Sequence, residues 1–201
     1  MANKPNGFDE VNPWNDFEEL PPGGYVCQIL NAKEEKSKAG NDMVVVMLDI
    51  VEGEHANHFR NLFKARKDKS TNPFDVKYPF DGMAYITFTY EGKTTRKFKA
   101  FCTSIEESGR QIVWGDTFAE SLKGAMVGVL FGREESEGKG KNEGKTFWNC
   151  KPVDFRSVDT IHKGDFKVPK DKPLPDTATQ DPLAPSQPEG FTQLTDDEIP
   201  F

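Results

Sequence analysis

Apolar positions recur with period two from Tyr25 to Ala32. Tyr25, Cys27 and Ile29 take one face and Val26, Leu30 and Ala32 the other, which predicts a strand. Pro21-Pro22-Gly23-Gly24 punctuates its start. The charged run Lys33 to Asn41 predicts a hairpin loop, and Met43 to Ile50, apolar on both faces, predicts a central barrel strand. From Gly53 to Gly82 the pattern breaks down. His58 to Phe63 reads as a short strand and Lys64 to Pro79 as a long basic connection. Ala84 to Tyr90 alternates cleanly, so the third strand lies in one of these two segments. Thr94 or Thr95 then caps a helix running to about Ser108. Its stripe of Phe98, Phe101, Cys102 and Ile105 has helical spacing, and Gly109 ends it. Asp116 to Lys123 predicts a short helix with Phe118 and Leu122 inward. Ala125 to Phe131 and Thr146 to Val153 are the last strands, joined by a Gly-rich loop from Arg133 to Lys145.

Three strands, a helix and a closing hairpin give a fold class: mainly β, an OB-fold-like five-stranded barrel with one principal α-helix. The chain divides into a lead-in (1–20), the barrel domain (21–166), a Pro/Asp-rich linker (167–195) and an acidic tip (196–201). Beyond Phe166 little is left to bury, so a disordered acidic tail is expected there.

Net charge is −7, but the average hides a polarity. Residues 1–20 hold one lysine against five acids, and residues 165–201 three lysines against eight acids. Residues 56–101 hold ten basic residues against four acids. The acid lies at the ends and the base in the middle, which suits a polyanion ligand. Single-strand binders pair a basic track for phosphates with aromatic faces for bases. The track here is Arg60, Lys64, Arg66, Lys67, Lys69 and Lys77, interleaved with Phe59, Phe63, Phe74, Tyr78 and Phe80; Phe74 and Tyr78 are the favoured stacking rings because they sit among polar loop residues. The barrel reading adds the flanking loops: Lys36 and Lys38 from the first hairpin, and Lys139, Lys141 and Lys145 from the last. Trp148 reads equally as stacking platform and as core residue. Arg96, Lys97 and Lys99 stand at a predicted helix start and read as solvated, although positive charge is mildly unfavourable there and implies a further reason to keep it.

No catalytic constellation stands out, so an enzyme is not expected. His55 and His58 lie in a segment without helical pattern and read as a solvated turn; neither metal nor cofactor is expected. Cys27, Cys102 and Cys150 are scattered and odd in number, which argues for reduced thiols and a cytoplasmic setting. No apolar run approaches the ~18 residues of a membrane span.

The last six residues have their own logic. Asp196, Asp197 and Glu198 supply charge, and Ile199, Pro200 and Phe201 a compact apolar end. Together they suit a pocket with a basic rim on a partner protein. This hexapeptide resembles the acidic C-terminal tip of bacterial single-stranded-DNA-binding proteins, commonly Asp-Asp-Asp-Ile-Pro-Phe, with Glu198 the one departure. The body resembles a group of phage and prophage single-strand binders from Gram-positive hosts. That likeness is carried by Leu20 to Tyr25, Lys36 to Met43, Val127 to Gly132 and Phe155 to Val158. The resemblance implies an OB-type protein that coats single-stranded DNA during replication, recombination or repair in the bacterial host cell. It implies recruitment of partner proteins through the tip, and it transfers no DNA-contact residue. Proteins of this architecture often self-associate, so a homo-oligomer is compatible with it. Two other classes compete: a protein-binding adaptor with little DNA affinity, and, more remotely, a metal-dependent DNA-processing enzyme using His55, His58 and nearby acids.

Overall fold

The computed structural model describes residues 19–175, so nearly all of the lead-in, most of the linker and the whole acidic tip lie outside the described residues. In chain order the strands are β1 (Gly23–Lys36), β2 (Asp42–Ile50), β3 (Met83–Thr87), β4 (Thr89–Tyr90), β5 (Lys93–Thr94), β6 (Met126–Glu137) and β7 (Thr146–Arg156). The helices are α1 (His58–Lys69), α2 (Arg96–Glu107), α3 (Phe118–Ser121) and α4 (Val158–Lys163). Five strands form one antiparallel sheet in the order β3-β2-β1-β6-β7. This is the mainly β architecture expected: a three-strand meander, a helix, and a hairpin whose first strand returns to pair with β1. It is OB-like and partly open, because β3 and β7 approach each other without joining the hydrogen-bonded ladder.

The alternating residues fill the interior as their period requires. Val44, Val46, Leu48 and Ile50 of β2 meet Cys27 and Ile29 of β1 and Val127, Val129 and Phe131 of β6. The register slips between Ile29 and Asn31, a β-bulge that moves one residue out of phase. Ala32 therefore joins the core rather than the outer face that simple alternation assigns to it.

The principal helix α2 matches its prediction closely. Thr95 accepts the Phe98 amide at 3.1 Å, and Phe98, Phe101, Cys102 and Ile105 are all buried. Thr95→Ala should lower stability by about 1 kcal/mol through loss of this cap, read from the midpoint of urea unfolding. The short helix α3 also stands where expected, with Phe118 and Leu122 inward.

Four expectations need correction. His58 to Phe63 is not a strand but the first half of α1, and the basic connection is helical as far as Lys69. The third strand is thus β3, which stops at Thr87 and gives way to the small β4–β5 hairpin. The last hairpin loop is shorter than its charge suggests, because β6 continues to Glu137 against β7. Finally, the chain stays attached to the barrel beyond Phe166. Lys172 donates its amide to the Arg133 carbonyl and accepts from the Glu135 amide, both at 2.9 Å. It takes the side of β6 that β1 leaves open before Gly23. Helix α4, not foreseen, lies across β1 and β6; a side chain at Gly128 would come within 2.6 Å of Ile161 and 2.5 Å of the Arg156 carbonyl oxygen.

Candidate nucleic-acid interface

Helix α1 has a weak start of its own. Asn57, in the left-handed conformation at φ 62°, provides no side-chain cap, and the first turn holds no acid. Its acceptor comes from β2. Asp49, fully covered on the outer side of that strand, takes the Phe59 amide at 3.0 Å and the Ile50 amide at 3.1 Å on Oδ1. The Arg60 Nε stands 3.2 Å from Oδ2. Burial raises the Asp49 carboxyl above its ordinary pKa, opposed by the Phe59 and Arg60 amides and the Arg60 guanidinium. Phe59 then points into the core and stacks on Phe131 at 5.7 Å, which fixes the helix over one end of the barrel.

That anchoring sorts the predicted cations by helical phase. Arg60, Lys64 and Lys67 share one stripe, with Arg60 held by Asp49 and the Lys67 amine 5.2 Å over the Phe63 ring. Arg66 and Lys69 share another with Leu62 and Ala65, and this one faces the β6–β7 hairpin. Between them lies a groove of about 400 Å³, closed on the far side by Arg133, Trp148, Asn149 and Cys150. Trp148 is 38% exposed, and the Arg133 guanidinium lies 5.3 Å from its ring centre. His58 also lines the groove, but burial and the neighbouring His55 hold its imidazole below its ordinary pKa, so it adds no charge at neutral pH.

The groove runs into the seam between β3 and β7. Asp81 lies on its edge, its carboxyl raised by burial against the pull of Lys151 and Arg66. Beside it Phe80 is 56% exposed, 5.6 Å from Tyr85 and covered by the Lys151 amine at 5.5 Å. Tyr85 projects from the outer face of β3, since Ala84 and Ile86 point inward. Register carries this face toward the first hairpin: Tyr85 pairs with Val45, Thr87 with Met43, and Asp42 with Lys36. The outer surface of β2 and β3 thus carries Tyr85 toward the hairpin lysines, whereas the groove itself is walled by α1 and the β6–β7 hairpin.

The predicted residues fare unequally. Arg66, Lys69 and Trp148 come together in the groove, and Lys139 and Lys145 are exposed at the tip of the hairpin that bears Trp148. Lys141 lies in the turn Gly140–Asn142 of the same tip. Lys36 and Lys38 stand at the opposite end of β2, with Lys36 paired to Asp42 at 2.7 Å. Lys64 and Lys77 are exposed. Phe74 is 95% exposed on the connection after α1, with nothing placing it against the groove. Tyr78 is turned inward: its hydroxyl donates to the Leu48 carbonyl at 2.8 Å, and burial lifts its pKa well above the ordinary value. Phe80, one of the interleaved rings, lies exposed beside Tyr85, whereas Arg133, Lys151 and Tyr85 escaped the sequence reading. Only Tyr85 carried a signal, as an outward position on an alternating strand.

All three cysteines are free thiols whose pKa burial raises. Among the described residues no three His, Cys, Asp or Glu side chains are grouped to hold a metal ion. None of the described helices is long and apolar enough to cross a membrane.

Residues 7–72 match the family described as "Protein of unknown function (DUF669)". The match takes in β1, β2 and α1, including the whole basic helix, and stops before the seam. A comparison with curated proteins gives no match.

Proposed function

We propose that this protein binds single-stranded DNA with little sequence preference, by binding rather than catalysis, in the cytoplasm of a bacterial host. On this reading the acidic tip, Asp196 to Phe201, recruits replication and recombination proteins. The observation that carries the proposal is the groove in which Arg66 and Lys69 of α1 face Trp148 of β7 across some eighty residues of sequence. Phosphates would run along the α1 cations while bases stack on Trp148 and, further along the seam, on Phe80 and Tyr85. Stacking suits any base because every base has a π face.

The test is a titration of the full chain with oligo-dT and duplex DNA at two salt concentrations. Single strands should bind better, and the logarithm of affinity should fall linearly with log salt, by about 0.7 for each phosphate contact. The same protein lacking residues 196–201 should bind oligo-dT undiminished and lose capture of replication proteins. Duplex bound as tightly as single strands would reject the reading. Capture by the tip without any oligo-dT binding would favour the adaptor instead.

A further inference from the structure

Arg96 and Lys97 occupy the first turn of α2, where the helix dipole disfavours cations. The structure places them on the wall of a second pocket, of about 550 Å³, on the far side of the β6–β7 hairpin from the groove. Arg156 of β7 and the attached segment bearing Lys167, Lys170 and Lys172 complete it, and Arg133 lines both this pocket and the groove. Three acids also line the pocket, and each already has a partner. Asp154 holds Arg156 at 2.9 Å and Arg96 more loosely at 3.4 Å; Asp171 takes Arg133 at 2.6 Å; Glu134 faces Lys151 at 3.4 Å. Among the described residues, none of Lys97, Lys167, Lys170 and Lys172 has a carboxylate within ion-pair distance. Lys97 is the most telling. Its amine is half-buried, donates to the Pro152 carbonyl at 3.3 Å and lies 5.9 Å from the Phe155 ring. Burial lowers its pKa, partly offset by the Asp154 carboxylate, and Lys172 adds repulsion. A concave surface that gathers unpaired cations is stabilised when an anion enters it.

We propose that this pocket is a second phosphodiester site, holding the backbone of a strand that has left the groove and passed over the β6–β7 hairpin. The proposal rests on the single-strand reading above and extends it: contact with DNA continues beyond the seam face, and Arg133 stands where the two sites meet. The segment 167–172 then serves as part of the binding surface, pinned by Lys172 on β6. The pocket has no exposed ring of its own among its lining residues, so it would grip phosphate without stacking bases.

The experiment compares wild type with the triple variant Arg96→Glu, Lys167→Glu, Lys170→Glu in the full-length chain. All three side chains are exposed and a glutamate at the start of α2 suits the helix dipole; because Arg96 also pairs with Asp154, circular dichroism and urea unfolding check that the variant's fold is intact. Affinity is measured by fluorescence anisotropy for oligo-dT of about 8 and about 30 nucleotides, the first within the 4–16 that one OB barrel covers. The variant should bind the short strand within about twofold of wild type. For the long strand it should lose about tenfold, with the salt slope shallower by about 2, the value for three lost contacts at 0.7 each. Equal losses on both lengths, or no loss on either, would overturn the second site. So would unchanged binding of both strands with loss of a synthetic peptide of residues 191–201, which would assign the pocket to the chain's own acidic end. Failure of wild type to bind even the short strand would instead reject the single-strand reading itself.

Discussion

Trp148→Ala is expected to weaken oligo-dT binding by one to two orders of magnitude, corresponding to the ~1–3 kcal/mol that a base stacked on an aromatic contributes. The ring stands in the groove, 38% exposed, with one face toward Arg133 and no part in the buried core, so its removal should leave the fold intact by circular dichroism. Trp148→Phe should recover most of the affinity, because a smaller ring still offers a stacking face. Arg66→Glu with Lys69→Glu should have a comparable effect through a different route. It replaces two groove cations with two anions and should flatten the salt dependence, which Trp148→Ala should not. Phe74→Ala is the control: that ring is 95% exposed and nothing orients it, so its loss should change affinity little. Wild-type affinity in Trp148→Ala and in the double charge reversal, with both folds intact, would remove the groove from the site.

Asp49→Ala should cost about 3 kcal/mol of stability, measured by urea unfolding. It strands the Phe59 and Ile50 amides in a place water does not reach. It also removes the counter-charge that fixes Arg60. Asp49→Asn keeps an acceptor for the amides and should cost less. The two aspartate states also give a pH signature. Burial raises the folded carboxyl above its ordinary value of 3.8, so the folded protein holds this proton more tightly than the unfolded chain does. Stability from this group is therefore greatest below 3.8 and falls as pH rises through the folded value. The stability of wild type minus that of Asp49→Asn should shrink from acid toward neutral pH. Other shifted groups, such as Asp81 and Asp171, cancel in that difference. A difference that grew with pH would mean that Arg60 and the amides outweigh burial.

The same aspartate explains why α1 was hidden in the sequence. A helix that supplies its own cap, stripe and stop can be read directly, as α2 was from Thr95, the Phe98–Ile105 spacing and Gly109. Helix α1 has only Phe59, Leu62 and Phe63 as apolar anchors among many charges, and its cap acceptor lies ten residues upstream on another strand. Local pattern carries no trace of that contact. The site divides along the same line. The excess of base over residues 56–101 was legible because charge is additive along the chain. Which of those cations meet Trp148 depended on helical phase, and phase was unreadable while the segment passed for strand and loop. Tyr78 misled for the converse reason: polar neighbours suggested an outward ring, whereas its hydroxyl reaches across to β2. Arg133 sat in what charge and glycine marked as loop; its meaning comes from Trp148 and Asp171, fifteen and thirty-eight residues away.

The unclosed seam between β3 and β7 has a consequence for the kind of strand this surface could accept. Along that line no main-chain ladder sets the width; side chains such as Phe80 and Lys151 bridge it instead. Side chains change rotamer in nanoseconds or less, while a ladder yields only by breaking several bonds at once. A cleft bounded in this way can widen for a purine and narrow for a pyrimidine without any cost in sheet structure. Indifference to base identity would then be a mechanical property of the barrel, present before any nucleotide arrives.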